Sequence, residues 1–540
     1  LVYIGFCATH YGHCHIFWET GREEKMIKGY LNRLRNAFGV KFIVLIFIAQ
    51  CLIKGVTFVI MTEGILPIFR YMGLDGIQVQ VYGAIAMSPW TIKPLVGIFS
   101  DLVSIVGYHK KYIMFFSCLL GITGCIIMVV EIYIPVVVVI FVCLVHFQIA
   151  TLDVLIEGKY AELMRQHPDT GSDVVTMASG FQRLGFIIAL CFVGPFADLG
   201  LFRFSNIIAL ILCCFPLLPI LFNWLPEVPK INVPYIQVDT KRIKKDWKII
   251  TVVLMTGISA PATGAVSALA MKWLGLVCAA VVVIVVIIGG FLSMPNNIIA
   301  RVALYQVLIQ SSKISYNSIL TYFFIADSTC LPGGPNFSYK FYITITGLAG
   351  AAASLVTVFI YQWLFSKWKF RNVLIFTAFL SAFGGMFDFI ILKRWNLDWG
   401  IPDTVFFLIG DDVFTSIIET LYYIPSSAII GKVCPKNMEA STYAYLAGIA
   451  NFGLMISAIA GAMLAEMFNV KTIGPDCNWE NLPMLVLIGH VCLPVVVSVV
   501  ASFLIPNVPQ DSDLLATKEE EAEKEVESLV TMPDIKEDIF

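Results

Sequence analysis

Ionisable and hydrogen-bonding residues recur at helical spacing inside the most apolar stretches of this 540-residue chain. Gln306, Gln310, Lys313 and Asn317 follow one another at intervals of 4, 3 and 4, which puts them on one face of a helix. Asp412, Ser416, Glu419 and Tyr423 repeat the pattern, and three further stretches carry His146, Asp153 and Glu157, Gln50, Lys54 and Thr57, and Thr176, Ser179 and Arg183. A charge at bilayer depth costs at least ~2.5–3.5 kcal/mol, so each needs a partner or a wet cavity. For the neutral residues, hydrogen bonding between helices is an equally good reading. For Lys54, Arg183, Lys313, Asp412 and Glu419 a ligand path is favoured.

The chemistry such groups offer is binding rather than bond-making. Lysines and an arginine suit carboxylates, and Arg can grip one with two parallel hydrogen bonds. Carboxylates suit a flat edge of N–H donors, or a proton taken up and released. The expected substrate-binding set is therefore Lys54, Arg183, Gln310, Lys313, Asn317, Asp412, Glu419 and Tyr423. Candidates for proton coupling are His146, Asp153, Asp412 and Glu419. Phe58, Tyr316, Tyr322, Tyr422 and Tyr423 could stack a planar ring, a weak signal because aromatics make up 13% of the chain.

The elements that must position these groups are visible in the composition. Apolar residues are 58% and charged residues 14% of the chain, against roughly a quarter charged in an ordinary soluble domain. That excludes a soluble enzyme, a nucleic-acid binder and a disordered protein. Fourteen cysteines lie scattered, mostly in apolar blocks, as small hydrophobes rather than a metal or disulfide framework. Blocks of about twenty apolar residues match a bilayer's ~30 Å core. They predict about fourteen spans, at 41–66, 77–98, 111–131, 134–157, 174–196, 204–224, 249–270, 273–294, 299–326, 340–365, 371–391, 404–430, 439–465 and 484–505. These are helices 1 to 14 below. With the N-terminus inside, 25 Lys and Arg fall on inner segments and seven on outer loops, so both termini are expected to be cytoplasmic.

Two basic loops, Gly107–Lys111 after helix 2 and Lys367–Arg371 after helix 10, occupy equivalent places, as do polar loops after helices 4 and 12. The pattern looks like two parallel six-helix halves of the major-facilitator type. The expected division is a cytoplasmic segment at 1–40, a first half at 41–224, a basic linker at 225–248, an inserted helical hairpin at 249–294, a second half at 299–505, and an acidic disordered tail at 506–540. In that arrangement the polar stripes fall on the helices that line the central cavity.

At helix 2 the residues become specific. Pro89-Trp90-x-x-Lys93-Pro94, followed by Gly97-x-x-Ser100-Asp101 and the loop Gly107-Tyr108-His-Lys-Lys111, resembles the signature of the folate–biopterin (pteridine) transporter family, a major-facilitator branch. Asp153-Val-Leu-Ile-Glu157-Gly-Lys159-Tyr160-Ala161, Gly333-Gly-Pro-Asn-Phe337 and Cys434-Pro-Lys-Asn-Met-Glu439-Ala440 resemble further family segments in order, so the likeness extends over about 77–453. His109-Lys-Lys replaces the family's arginine-rich triplet, and Ser104 stands where proline commonly follows.

The resemblance implies a secondary transporter moving folate or unconjugated pteridines by alternating access in symport with protons. It implies no enzyme activity, cofactor or metal; the chain would work as a monomer in the plasma membrane or an organellar one. Pro89, Trp90, Lys93, Pro94 and Asp101 form the expected gating motif: the prolines kink helix 2, and Lys93 pairs with Asp101 or Asp153. S-adenosylmethionine, a small carboxylate such as pyruvate, and a non-transporting receptor stay open as alternatives. His10, His13 and His15 read as chance clustering, His109, His146, His167 and His490 are isolated, and Cys330 and Cys477, in outer loops, are a candidate disulfide.

Overall fold

A computed structural model describes residues 29–510 except 31, 133, 167–170, 231–233, 270–271, 294–295, 435–438 and 475–476. The histidine tract and the acidic tail beyond residue 510 lie outside the described residues.

Helical segments occupy every predicted span. Among the described residues, eleven stretches are long and apolar enough to cross a bilayer: helix 1 Val40–Tyr71, helix 3 Lys111–Val130, helix 4 Pro135–Tyr160, helix 5 Asp173–Asp198, helix 6 Phe202–Leu221, helix 7 Trp247–Ser267, helix 8 Trp273–Ser293, helix 10 Lys340–Phe365, helix 11 Phe370–Leu392, helix 13 Thr442–Met467 and helix 14 Leu482–Ser502. The other three are interrupted or charged. Helix 2 consists of Gly76–Ala86 and Pro89–Leu102. Pro89, at the first turn of its segment, starts a helix rather than kinking one. Helix 9 consists of Asn297–Ser312 and Asn317–Phe324, with Lys313 at φ −77° and ψ 78° between them. The expected continuous stripe on helix 9 is therefore broken at Lys313. Helix 12 runs as Asp403–Phe406, a π-helical Phe407–Val413 and Phe414–Lys432.

Helix 1 also widens into a π-helix over Ile48–Thr57, as do helix 10 over Lys340–Ile345 and helix 14 over Leu487–Cys492. Such turns carry five-residue hydrogen bonds, so side chains beyond them shift phase relative to a 3.6-residue period. Gln50, Lys54, Asp412 and His490 all lie in these stretches.

One apolar core gathers buried residues from Tyr30 through Leu225, with only Tyr322 and Ile343 from later in the chain. Two others draw mainly on helices 9 to 14. Helices 7 and 8 pack on each other and on helices 2, 9 and 13. Far from the chain's N-terminal side, the two groups of helices meet directly. The Gly76 N–H donates to the Thr472 hydroxyl at 2.7 Å, the Tyr322 hydroxyl to the Leu74 carbonyl at 2.5 Å, and the Tyr339 and Lys340 amides to the Asp198 carboxylate at 2.7 and 2.8 Å. Cys330 and Cys477 are disulfide-bonded on that side, with Cα atoms 5.3 Å apart.

On the N-terminal side, a small antiparallel ribbon departs from the all-helical expectation. Val103–Ile105 pairs with Ile236–Val238 of the linker, Ser104 opposite Gln237. Gly107, at φ +80°, is needed there, because a Cβ would lie 2.5 Å from the Lys230 carbonyl oxygen. Glu227 accepts from the His109, Lys110 and Lys111 amides at 2.6, 3.1 and 3.3 Å, capping helix 3. Arg242 meets Asp101 at 3.4 Å.

Helices 1 and 5 cross at glycines. A Cβ on Gly185 would lie 2.1 Å from the Cys51 carbonyl oxygen, whereas one on Gly431 meets nothing within 4 Å. Small residues at such a crossing let backbones approach. Gly185→Leu is expected to destroy monodisperse, folded protein on detergent extraction while Gly431→Ala elutes unchanged, as size-exclusion chromatography would show.

Candidate functional site

Two charged regions stand out, one within the first helix group and one between the two groups. The first is an ion cluster built on Asp153, which is 2% exposed. Lys54 Nζ lies 2.8 Å from one of its carboxylate oxygens and Lys93 pairs with the other, while the Gln50 amide donates to it at 3.2 Å. Lys54 also meets Glu157 at 3.3 Å. The π-helical turn of helix 1 presents Gln50 and Lys54, and the fresh start of helix 2 at Pro89 presents Lys93. The Lys93 ammonium sits 4.1 Å from the Trp90 ring centroid, and the Trp90 indole donates to His146 at 3.3 Å. His146 is 1% exposed and lies edge-on to Phe58. Tyr423 and Tyr443, from helices 12 and 13, stand close enough to Lys54 to interact with it electrostatically.

The second region is a cavity of about 640 Å³, within the range that holds a small organic ligand. Helices 1 and 2 contribute Glu63, Leu66 and Gly83. The break in helix 9 contributes Lys313, Ser315 and Asn317, and helices 10 to 14 bring Tyr342, Asp388, Glu419, Ser457 and His490. The Lys313 ammonium lies 4.8 Å from the Tyr422 ring centroid. Its backbone carbonyl, freed by the helix break, accepts from the Ser457 hydroxyl. His490 Nδ1 and Asp388 Oδ2 are 2.8 Å apart.

The expected binding residues divide. Lys313, Asn317 and Glu419 line the cavity together. Lys54 belongs to the Asp153 cluster instead, and Tyr423 is exposed beside it. Arg183 is exposed and absent from the cavity lining. Gln310 packs its Cβ against Gly453, and Gln306 donates to Ser426 at 2.9 Å. Asp412 lies beside Gly350, also outside the lining. Of the two expected partners for Lys93, the structure pairs it with Asp153 of helix 4; Asp101, eight residues along the same helix as Lys93, meets the linker's Arg242 instead. Sequence reasoning missed Glu63 and Asp388, and took His490 as isolated. Each is an ionisable residue inside an apolar span, which was signal enough.

Fold and cavity define a mostly helical polytopic membrane protein of the major-facilitator type. A solved peptide-transporter-family (POT) structure in complex with 5-aminolevulinic acid superposes with a TM-score of 0.64 at 12% identity, covering 86% of this chain and 96% of that one. The model of the BT1 family matches residues 48–526. The chain belongs to this family, that of the folate–biopterin transporters, and is a transporter rather than an enzyme. Its relatives in Arabidopsis thaliana include "Probable folate-biopterin transporter 6", 28% identical over 81% of this chain and 77% of that protein. "Probable folate-biopterin transporter 2" is 24% identical over 76% and 72%.

Removing one partner from a buried ion pair costs about 3–5 kcal/mol, because it strands the other charge. Asp153→Ala should therefore lower the thermal midpoint of the purified protein sharply. Adding Lys93→Met to it should restore part of the loss, and a melt of both variants checks this.

Proposed function

We propose that this protein carries folate or unconjugated pteridines across a membrane by alternating access, coupled to protons. The observation that carries the transport reading is the cavity, walled from both helix groups and holding Lys313 and Glu419. The cargo class rests on the names of the BT1-family relatives. In this reading the halves at 41–224 and 299–505 rock about the cavity, with 249–294 an inserted hairpin. The structure then corresponds to a state closed on the far side. Closure there is supported by the Gly76–Thr472, Tyr322–Leu74 and Asp198–Tyr339 hydrogen bonds. On the opposite side, Tyr423 and Tyr443 are 64% and 43% exposed.

In this reading Asp153 is the coupling group. It is a buried carboxylate shared by two lysines, and a proton arriving there would release both, loosening helices 1, 2 and 4 from one another. Its position beside the Trp90–His146 pair connects that event to the helix 2 motif. The protein would act as a monomer in the plasma membrane, with both termini cytoplasmic, as the excess of basic residues on inner loops supports.

The test is uptake into proteoliposomes of labelled folate, biopterin, S-adenosylmethionine and pyruvate, with and without an inward proton gradient. Saturable, gradient-dependent uptake of folate or biopterin is expected. Lys313→Gln and Glu419→Gln should each reduce it roughly tenfold or more, as the loss of a charge-assisted hydrogen bond does. Movement of S-adenosylmethionine or pyruvate alone would overturn the cargo. Asp153→Asn should abolish the response to the gradient; an unchanged response would overturn its role in coupling.

A further inference from the structure

The cavity wall is short of cations. Among its described lining residues, the carboxylates are Glu63, Asp388 and Glu419, and the sole lysine or arginine is Lys313. Basic residues that the sequence offered for an anionic ligand are placed elsewhere. Lys54 and Lys93 are committed to Asp153, and Arg183 stands outside the lining. Even with a protonated His490, acids outnumber bases at the wall.

The acids are also differently engaged. Asp388 is 7% exposed and its Oδ2 lies 2.8 Å from Nδ1 of His490, which Gly385 lets approach: a Cβ there would lie 2.9 Å from the His490 Cβ. The Tyr316 ring flanks the histidine, centroid to centroid 5.8 Å. Among the described residues, Glu63 has no hydrogen-bond or ion-pair partner, although it faces the cavity and shares its surroundings with Asp412. Glu63 is exposed on that wall, so its carboxylate is open to a donor on the cargo.

We propose that this cavity selects the uncharged, donor-rich head of an unconjugated pteridine over a conjugate that brings glutamate carboxylates, with Glu63 and Asp388 as specificity-determining acceptors. The proposal rests on the pteridine reading above and deepens it. A pteridine head offers a ring N–H beside an exocyclic amine, two parallel donors that one carboxylate accepts with both oxygens. Carboxylates on the cargo would instead face three acids with Lys313 as their one fixed counter-charge among the described lining residues, and like charges at close range repel. Tyr342, whose hydroxyl lies 2.8 Å from that of Thr321, adds an aromatic face and a polar edge to the same wall.

The experiment is proteoliposome uptake of labelled biopterin and labelled folate, each competed by the other, for wild type, Glu63→Gln and Asp388→Asn. Wild type is expected to favour biopterin in kcat/KM by roughly tenfold or more, the discrimination a charge-assisted hydrogen bond supplies. Glu63→Gln should cut biopterin uptake by a similar factor and folate uptake much less, so the preference narrows, while its thermal midpoint stays at the wild-type value. Asp388→Asn should narrow the preference in the same direction. A wild-type preference for folate, or variants that depress both cargoes equally, would overturn this proposal alone. Absence of saturable uptake of either compound would overturn the pteridine reading and this one with it.

Discussion

Asp153 has to be charged and it has to be buried, and most of the first helix group is arranged around that conflict. A lone carboxylate in a low-dielectric interior would be prohibitive, so helices 1 and 2 each supply a lysine and helix 1 adds the Gln50 amide. Delivering them needs two departures from regular helix. Helix 1 widens into a π-helix across Gln50 and Lys54, and helix 2 stops at Ala86 and restarts at Pro89. The restart also sets Trp90 between Lys93 and His146, and its carbonyl accepts from Asn451 of helix 13 at 3.2 Å. Trp90 therefore links the charge cluster to the second helix group.

The same economy of irregular backbone serves the cavity. Where helix 9 breaks at Lys313, backbone groups lose their intrahelical partners, and side chains from other helices take them up: Ser457 on the Lys313 carbonyl, Gln80 on the Ser315 carbonyl and the Ser318 amide. Non-helical backbone at membrane depth is tolerated where it lines a cavity or is buried in protein, and both conditions hold here. On the N-terminal side the linker works as a brace. Its strand, Glu227 and Arg242 all bind the short loop after helix 2, so the position of that loop is tied to the connection between the two helix groups.

How far the sequence could be read depended on whether a feature follows a regular period. Every predicted span holds helix, and the folate–biopterin resemblance, carried by Pro89 to Asp101 and the later blocks, led to the right family. The site was harder. Lys313, Asn317 and Glu419 came together in the cavity, whereas Gln310, one turn earlier on the helix, packs against Gly453, and the chain leaves helical geometry only at Lys313. Arg183 looked like a carboxylate ligand from its residue type alone, and nothing in a linear sequence says which side of helix 5 meets the cavity. Glu63, Asp388 and His490 were legible as charges within apolar spans, but not as neighbours.

Determined by the sequence alone were the membrane location, from hydrophobic length and the scarcity of charge, and the family, from an ordered string of prolines, glycines and charges that needs no coordinates to recognise. Decided only by the tertiary structure was which charges neutralise each other. Lys93 had two candidate carboxylates and pairs with Asp153, which the packing of helix 4 on helix 2 brings beside it, while the linker, more than a hundred residues further on, brings Arg242 to Asp101. The physical reason is that an ion pair is set by distances of a few ångströms between helices, whereas sequence spacing reports only the face of a single helix, and that only while its turn stays regular.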